Sequence, residues 1–500
     1  MKNKLFWSIG LFSWLILAVF SLHPIITGAI PFWYDPARDM LSAWDNLHKL
    51  TLIGSTSGIP GIFYGPYWIW FLSIPVFFSK DPRLATFIVS FIPYMIFFPV
   101  ILSRFKSYFE NDIFLILWIL FILTFQSYVI FIWNPNNSPL LFLLSIYLIL
   151  SSLSQKTLTG GLKKVFLAGL ATGLALNINL SFGSVFALSS VLFFLLNAAL
   201  FLKGTLFTKI KSFFFQLISF LAGIILTFLP FFVFEVRHSF GQTKIALKAL
   251  LHGGGGVVTI HGLNKWGIIE SFFARWTELL HLPSGISLII LAILAIALLL
   301  LLLTKKISFS KSEKILSLFL FSLTLSCLGL YSSVRNPVWD YHFIGIEIFW
   351  MLLLGIFLIK IPYIKFIAYG WILLLIVMGT IGLLGSLKTP VLATDSLIAK
   401  EYMVKTISND AKGKGYSVYA YSPSIYIYEY SYLFRWLAGK EVPYDPALIR
   451  PGKEVYLILP PGKKAVLNDF INYRTPAKLY KTVKTWTIPN GTVILKRTVS

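Results

Sequence analysis

The sequence predicts a polytopic α-helical membrane protein of about eleven crossings, with a small soluble α/β domain at its C-terminal end. Three observations carry that prediction. Hydrophobic residues make up 57% of the 500-residue chain and charged residues only 13%, and the mean hydropathy is +0.78. Apolar runs long enough to cross a bilayer recur along most of the chain. Beyond about residue 391 they give way to short, mixed segments.

The apolar runs lie near residues 5–29, 63–79, 84–103, 113–131, 138–154, 165–180, 184–202, 212–234, 285–303, 315–331, 343–359 and 365–386. Lys2 and Lys4 precede the first run, which reads as a retained signal anchor rather than a cleaved signal peptide. The net charge of +23 is topological. Basic residues gather in alternate short loops: Arg104 and Lys106, Lys156 to Lys164, Lys203 to Lys211, Lys305 to Lys314, and Lys360 with Lys365. This is the positive-inside pattern, and it argues against a nucleic-acid footprint. It closes only if residues 63–103 make one net crossing, with one of their two runs broken or interfacial. The Ser79-Lys80-Asp81-Pro82-Arg83 turn strains that count, since it would itself suit a cytoplasmic turn. The single cysteine, Cys327, lies in an apolar run, so neither an intramolecular disulfide nor a cysteine-based metal cluster is expected.

This topology puts the N-terminus in the cytoplasm of a plasma-membrane protein and the unusual polar segments on the outer face. They comprise the loop 30–62, the Trp133 to Asn137 turn, the loop 235–284, the Arg335 to His342 turn, and the C-terminal domain 391–500. In that domain residues 396–411 and Ala465 to Tyr473 read as helices. Ser417 to Tyr421 and Glu454 to Leu459 read as strands, and Pro489-Asn490-Gly491 reads as a hairpin turn between strands 484–488 and 492–496.

In the first loop, Asp35-Pro36-Ala37-Arg38-Asp39 opens an amphipathic helix. Met40, Leu41, Trp44 and Leu47 form its apolar stripe, and Arg38, Asp39, Ser42, Asp45, Asn46 and Lys49 its polar side. Asp35 has two readings. As an N-cap with Pro36 at the first helical position it would contribute roughly 1 kcal/mol of helix stability. As a carboxylate beside the Phe32, Trp33 and Tyr34 wall it could act as general base, with Arg38 orienting it or forking onto a phosphate.

These motifs together resemble the multipass GT-C glycosyltransferases. They are Asp-x-x-Arg in the first outer loop, Gly65-Pro66-Tyr67-Trp68 opening the next apolar helix, a Trp-Asn-Pro turn at Trp133, and Phe234-Glu235-Val236-Arg237-His238-Ser239-Phe240. Their layout over residues 1–386 is similar to bacterial relatives of protein O-mannosyltransferases and lipid A aminoarabinose transferases. The resemblance implies a polyprenyl-phosphate sugar as donor, a protein, lipid or glycan as acceptor, and the first-loop aspartate as base: Asp35, with Asp39 a lesser candidate. Pro36 stands where many relatives carry a second acid, which weakens a two-carboxylate or metal proposal; a divalent cation is the only cofactor left open.

The remaining expected contacts are Trp133, Asn134 and Asn137 for the sugar, and Glu235, Arg237 and His238 for the donor phosphate. Arg335, Tyr341 and His342 are further substrate candidates, with Asp340 beside them. Each has a structural alternative: a plain Asn-Pro turn, snorkelling interfacial cations, or an aromatic interface belt. The glycine run after His252 reads as a flexible linker and a conceivable lid. A lipid-linked glycan transporter would need charged residues midway along the helices, whereas the spans are almost uncharged at their centres. A non-catalytic subunit presenting the C-terminal domain leaves the Asp35 and Arg237 clusters without a purpose.

Overall fold

The computed structural model describes residues 2–57, 61–155, 157–252, 263–333, 338–388, 395–413, 415–423 and 425–500. Eight helices among them are long and apolar enough to cross a membrane: Gly10–Thr27, Pro82–Ser103, Thr159–Ile178, Leu180–Leu200, Leu206–Thr227, Ser284–Leu303, Lys311–Ser333 and Ile364–Gly382. Shorter apolar helices, including Asn111–Thr124, Ser138–Ser152 and Glu347–Lys360, pack among them. The two classes divide the work. Ser284–Leu303 buries only Ser287 and Leu294, as expected of a helix whose solvent is lipid. Glu347–Lys360 buries nearly its whole length and sits in the bundle centre.

The first helix, α1 (Lys2–Thr27), leads into the loop that carries α2 (Tyr34–Asn46), and α3 (Tyr67–Phe78) follows. At about 18 Å, α3 is too short for a hydrocarbon core of about 30 Å. The next helix begins at Pro82 after an extended Ser79. Residues 67–103 thus hold one short helix and one full-length helix. The intervening turn faces the first loop's side. Tyr432 donates to the carbonyl of Lys80 at 2.5 Å, and Arg83 grips Glu401 with two nitrogens at 2.6 and 3.0 Å. Both partners belong to the C-terminal region, which also pairs with residues 30–32. The amide of Phe32 donates to Asp395 and that of Leu397 to Ile30. The turn that strained the crossing count therefore shares a face with the first loop.

The C-terminal region is a four-stranded sheet in the order β1 (Tyr416–Ala420), β2 (Glu454–Leu459), β4 (Val493–Val499), β3 (Tyr480–Thr487). β1 and β2 are parallel, and a crossover containing helix Tyr428–Ala438 joins them. The β3–β4 hairpin turns at Asn490-Gly491, where Gly491 takes φ +83°. Two sequence expectations change. Helix Tyr428–Ala438 was not anticipated, and the outer loop 235–284 is largely helical among its described residues, with Gly241–His252 and Lys265–Leu280. The glycine run after His252 and Arg335 lie outside the described residues.

Candidate functional site

The site is built on α2. Its buried face is Pro36, Ala37, Asp39, Met40 and Ala43, clamped between α3 and helix Tyr428–Ala438. Met40 keeps its place in the apolar stripe. Asp39, expected on the polar side, is fully buried, because protein packs where a surface helix would meet water.

Asp39 is saturated. It accepts from the Ser55 hydroxyl at 2.6 Å, the Trp68 indole at 2.8 Å and the Arg38 guanidinium at 2.9 Å. Counting both Arg38 nitrogens, three donors meet Oδ1 and the Trp68 indole meets Oδ2, and the carboxylate, with no exposed surface, is held in place out of reach of an acceptor substrate. The structure places Asp39 as an anchor for Arg38, beneath the exposed surface. Trp68 comes from the Gly-Pro-Tyr-Trp segment, so that motif acts through an indole hydrogen bond.

Asp35 shares Arg38 with Asp39 but is partly exposed. The cap of α2 is Trp33, without a side-chain hydrogen bond, so Asp35 sits inside the first turn and is not the expected N-cap. Its carboxylate meets Arg38 at 2.8 Å and keeps 19% of its side-chain surface exposed. The Trp133 indole lies beside it, close enough to favour the ionised carboxylate. Burial pushes its pKa above the ordinary aspartate value, while Arg38 and the Trp133 indole pull the other way. Burial alone would lower the pKa of Arg38, but Asp39 and Asp35 raise it and keep it charged. Arg38 also lies 5.5 Å from the Tyr34 ring centre.

Aromatic side chains wall this pair. Trp33 stacks on Phe131 at 6.0 Å, and Trp133 lies 5.6 Å from Phe131 and 5.9 Å from Tyr341. The exposed Tyr341 is close enough for Asp35 to raise its phenol pKa further, after burial. Tyr64 completes the wall. Burial pushes its phenol up to about 12, with smaller influences from Tyr341, Arg38 and Asp35. The structure therefore gathers Asp35, Arg38, Trp133 and Tyr341 in one place, and adds Tyr64.

The other expected contacts lie outside this cluster. Asn134 is buried and donates to the carbonyl of Ile178 at 2.6 Å, while Asn137 is buried in the same turn. Glu235 is buried and caps the following segment, accepting from the Thr243 hydroxyl at 2.6 Å and its amide at 2.8 Å. Arg237 and His238 are exposed, and His238 stacks on Phe234 at 3.9 Å; neither joins the Asp35 cluster. His342 accepts the Trp339 amide at 3.2 Å and organises its own turn; burial lowers its pKa to about 4.

Sequence reasoning missed Arg275. Its guanidinium, mostly buried, reaches Glu278 at 2.7 Å, Asp340 at 3.1 Å and Glu347 at 3.5 Å. Tyr128 donates to Glu347 at 2.7 Å. This ties Arg275 to the residue preceding Tyr341. The available signal was an arginine set among Phe272, Phe273 and Trp276 in a loop expected to be polar.

The residues around Asp35 do not form an all-protein metal cage. Asp39 is saturated, and no group of three or more His, Cys, Asp or Glu side chains suited to a metal occurs among the described residues.

No family model and no curated protein matches the chain. Solved structures do. ArnT from Cupriavidus metallidurans in the apo state aligns with a TM-score of 0.57 at 10% identity, over 99% of this chain and 97% of that one. The same protein bound to undecaprenyl phosphate gives 0.57 and 10%, over 99% and 98%. An Archaeoglobus fulgidus oligosaccharyltransferase, in complex with zinc and sulfate, gives 0.46 and 13%, over 97% and 72%. Over almost its whole length, from α1 through the C-terminal sheet, the chain has the fold of ArnT.

Proposed function

We propose that the protein is a membrane glycosyltransferase that moves a sugar from a polyprenyl-phosphate donor to an acceptor hydroxyl or amine at the face carrying α2. The observation that carries this reading is the division of labour between two aspartates four residues apart. Asp39 is spent on structure, and Asp35 is left partly exposed, with a raised pKa, beside a fixed arginine. A carboxylate that holds its proton more tightly than a free one is the better proton acceptor.

In this mechanism Asp35 takes the proton from the acceptor. The acceptor oxygen or nitrogen forms the new bond to the anomeric carbon as the bond to the polyprenyl phosphate breaks, with inversion. Arg38 holds Asp35 in position, and Trp133 and Tyr341 offer faces for the sugar. Arg275, tied to Asp340, steadies the turn that carries Tyr341. Two findings support a lipid-linked donor. ArnT, of the same fold, has been solved with undecaprenyl phosphate. A cavity of about 630 Å³ between α1 and helices Asn111–Thr124 and Ile364–Lys388 is lined mainly by apolar groups such as Leu17, Phe20, Ile122 and Leu375, a lining suited to an isoprenoid chain.

The test is transfer by purified protein in lipid, with a panel of polyprenyl-phosphate sugars, comparing the native chain with Asp35→Asn. A folded Asn variant that transfers at the native rate ends the base assignment.

A further inference from the structure

Beside Asp35 the C-terminal domain presents a cluster of tyrosines that the proposed chemistry does not use. Tyr34, the residue before Asp35, meets Tyr428 edge-on at 5.0 Å and Tyr426 at 6.4 Å. Tyr428 stacks on Tyr444 at 4.4 Å, and Tyr426 lies 5.9 Å from Tyr444. The four rings come from three separate stretches of chain. The Ile427 amide donates to the Tyr444 carbonyl at 2.9 Å, which fixes two of those stretches together. Tyr426 and Tyr444 still expose 36% and 43% of their surfaces. Large aromatic groups left at a surface in a contiguous patch mark a place that something covers.

We infer that this tyrosine cluster is the acceptor subsite and that it takes a neutral glycan chain. The inference rests on the proposed glycosyl transfer, and it gives the C-terminal domain the task of acceptor recognition. Position is the first argument, because the cluster runs outward from Asp35 through Arg38 and Tyr34, so a chain lying on it ends at the base. Chemistry is the second. Tyr444, stacked on Tyr428 through one face, and Tyr426 are the rings left at the surface, each with an apolar ring for the C–H face of a sugar and a phenol for its hydroxyls, and the exposed Ile425 beside them adds apolar contact. Charge is the third. Asp445 follows Tyr444, and the nearest arginine to Tyr34 is Arg38, already paired with two aspartates; neither favours an acceptor rich in phosphate. The two exposed rings, Tyr426 and Tyr444, lie 5.9 Å apart, so the patch offers more than one contact to a glycan chain.

The experiment uses the full chain in lipid nanodiscs without any donor, so binding is read apart from transfer. Saturation-transfer NMR is recorded with maltohexaose, chitohexaose and a mannohexaose, and with an unglycosylated Ser/Thr-rich peptide. At least one hexasaccharide should receive saturation at its ring C–H protons, and Tyr444→Ala should weaken its binding by about tenfold, the loss of one stacked ring. Tyr444→Phe should stay within about threefold, because the face is kept. Tyr426→Ala supplies a second exposed site should Tyr444→Ala unfold. No saturation of any hexasaccharide, equal binding by both Ala variants, or binding of the peptide alone overturns the inference. Transfer surviving in Asp35→Asn would instead overturn the catalytic assignment and leave the binding result standing, so the two failures are distinguishable.

Discussion

Replacing Asp39 and Asp35 by asparagine, one at a time, separates the anchor from the base. In Asp39→Asn the new amide places N–H groups against donors that it must face: the Ser55 hydroxyl at 2.6 Å, the Trp68 indole at 2.8 Å and two Arg38 nitrogens at 2.9 Å. An asparagine oxygen can satisfy some of them, but the charge partner of a mostly buried arginine is lost. Breaking a buried pair in this way costs about 3 to 5 kcal/mol. Arg38 keeps Asp35, so the lower end, about 3 kcal/mol, is expected. Asp35→Asn behaves differently. Its folded-state pKa is raised, so ionised Asp35 costs stability once pH exceeds its unfolded value, and removing the charge relieves that cost while the single Arg38 pair is lost. The two effects oppose, and the net change is expected within about 1 kcal/mol. Thermal unfolding in nanodiscs checks this: the midpoint of Asp39→Asn should fall by several degrees and that of Asp35→Asn should barely move. Equal midpoints, or a stable Asp39→Asn, would refute the reasoning.

Transfer rate should rise with pH through an acidic limb that lies above about 3.9, the ordinary aspartate value, because the base works only when ionised and burial holds its proton more tightly; an acidic limb at or below that value in a kcat/KM profile contradicts the assignment. His342, with a folded pKa near 4 against about 6.5 unfolded, contributes stability that is full above the unfolded value and is lost as pH falls through the window to 4, up to about 3 kcal/mol. His342→Asn should flatten the fall of the unfolding midpoint between those limits. Arg275→Gln strips a mostly buried cation from three carboxylates, so both the midpoint and the transfer rate should drop, whereas Arg275→Lys should recover more midpoint than rate. Arg83→Gln breaks the two-nitrogen grip on Glu401, and hydrogen exchange in helix Leu397–Ala411 should accelerate with little change in the Ser284–Leu303 helix.

Much of the architecture was legible because lipid imposes a simple rule on sequence: a helix is apolar over the stretch that crosses it, as Ser284–Leu303 is throughout and Lys311–Ser333 is beyond its charged first turn. The C-terminal strands were legible for another reason. Glu454–Leu459 is a short apolar run, and Asn490-Gly491 chooses its own turn. Helix Tyr428–Ala438 was hidden because its buried face is tyrosine, leucine and phenylalanine packed on α2, some 390 residues away in sequence, and local periodicity carries no trace of that partner. The site divides along the same line. Asp35, Arg38, Trp133 and Tyr341 sit next to turn signals or charge clusters, and the fold gathers them. Asp39 was misjudged because a helical wheel assigns acids to water, and only the positions of Ser55 and Trp68 make a buried one affordable. Glu235 and Asn134 bear the same polar groups as a ligand site, yet satisfy backbone instead. Arg275 and the Tyr426, Tyr428 and Tyr444 group are meaningful only through contacts made across the fold.

The central claim is that Asp35 is the base of a glycosyl transfer from a lipid-linked donor. The most direct measurement is single-turnover transfer from polyprenyl-phosphate sugars by native protein and by Asp35→Asn, with donor binding recorded in parallel. The account predicts that the variant binds donor as tightly as the native protein and transfers at least about a hundredfold more slowly, the lower range for loss of a general base. Native-rate transfer by a folded Asp35→Asn would contradict it.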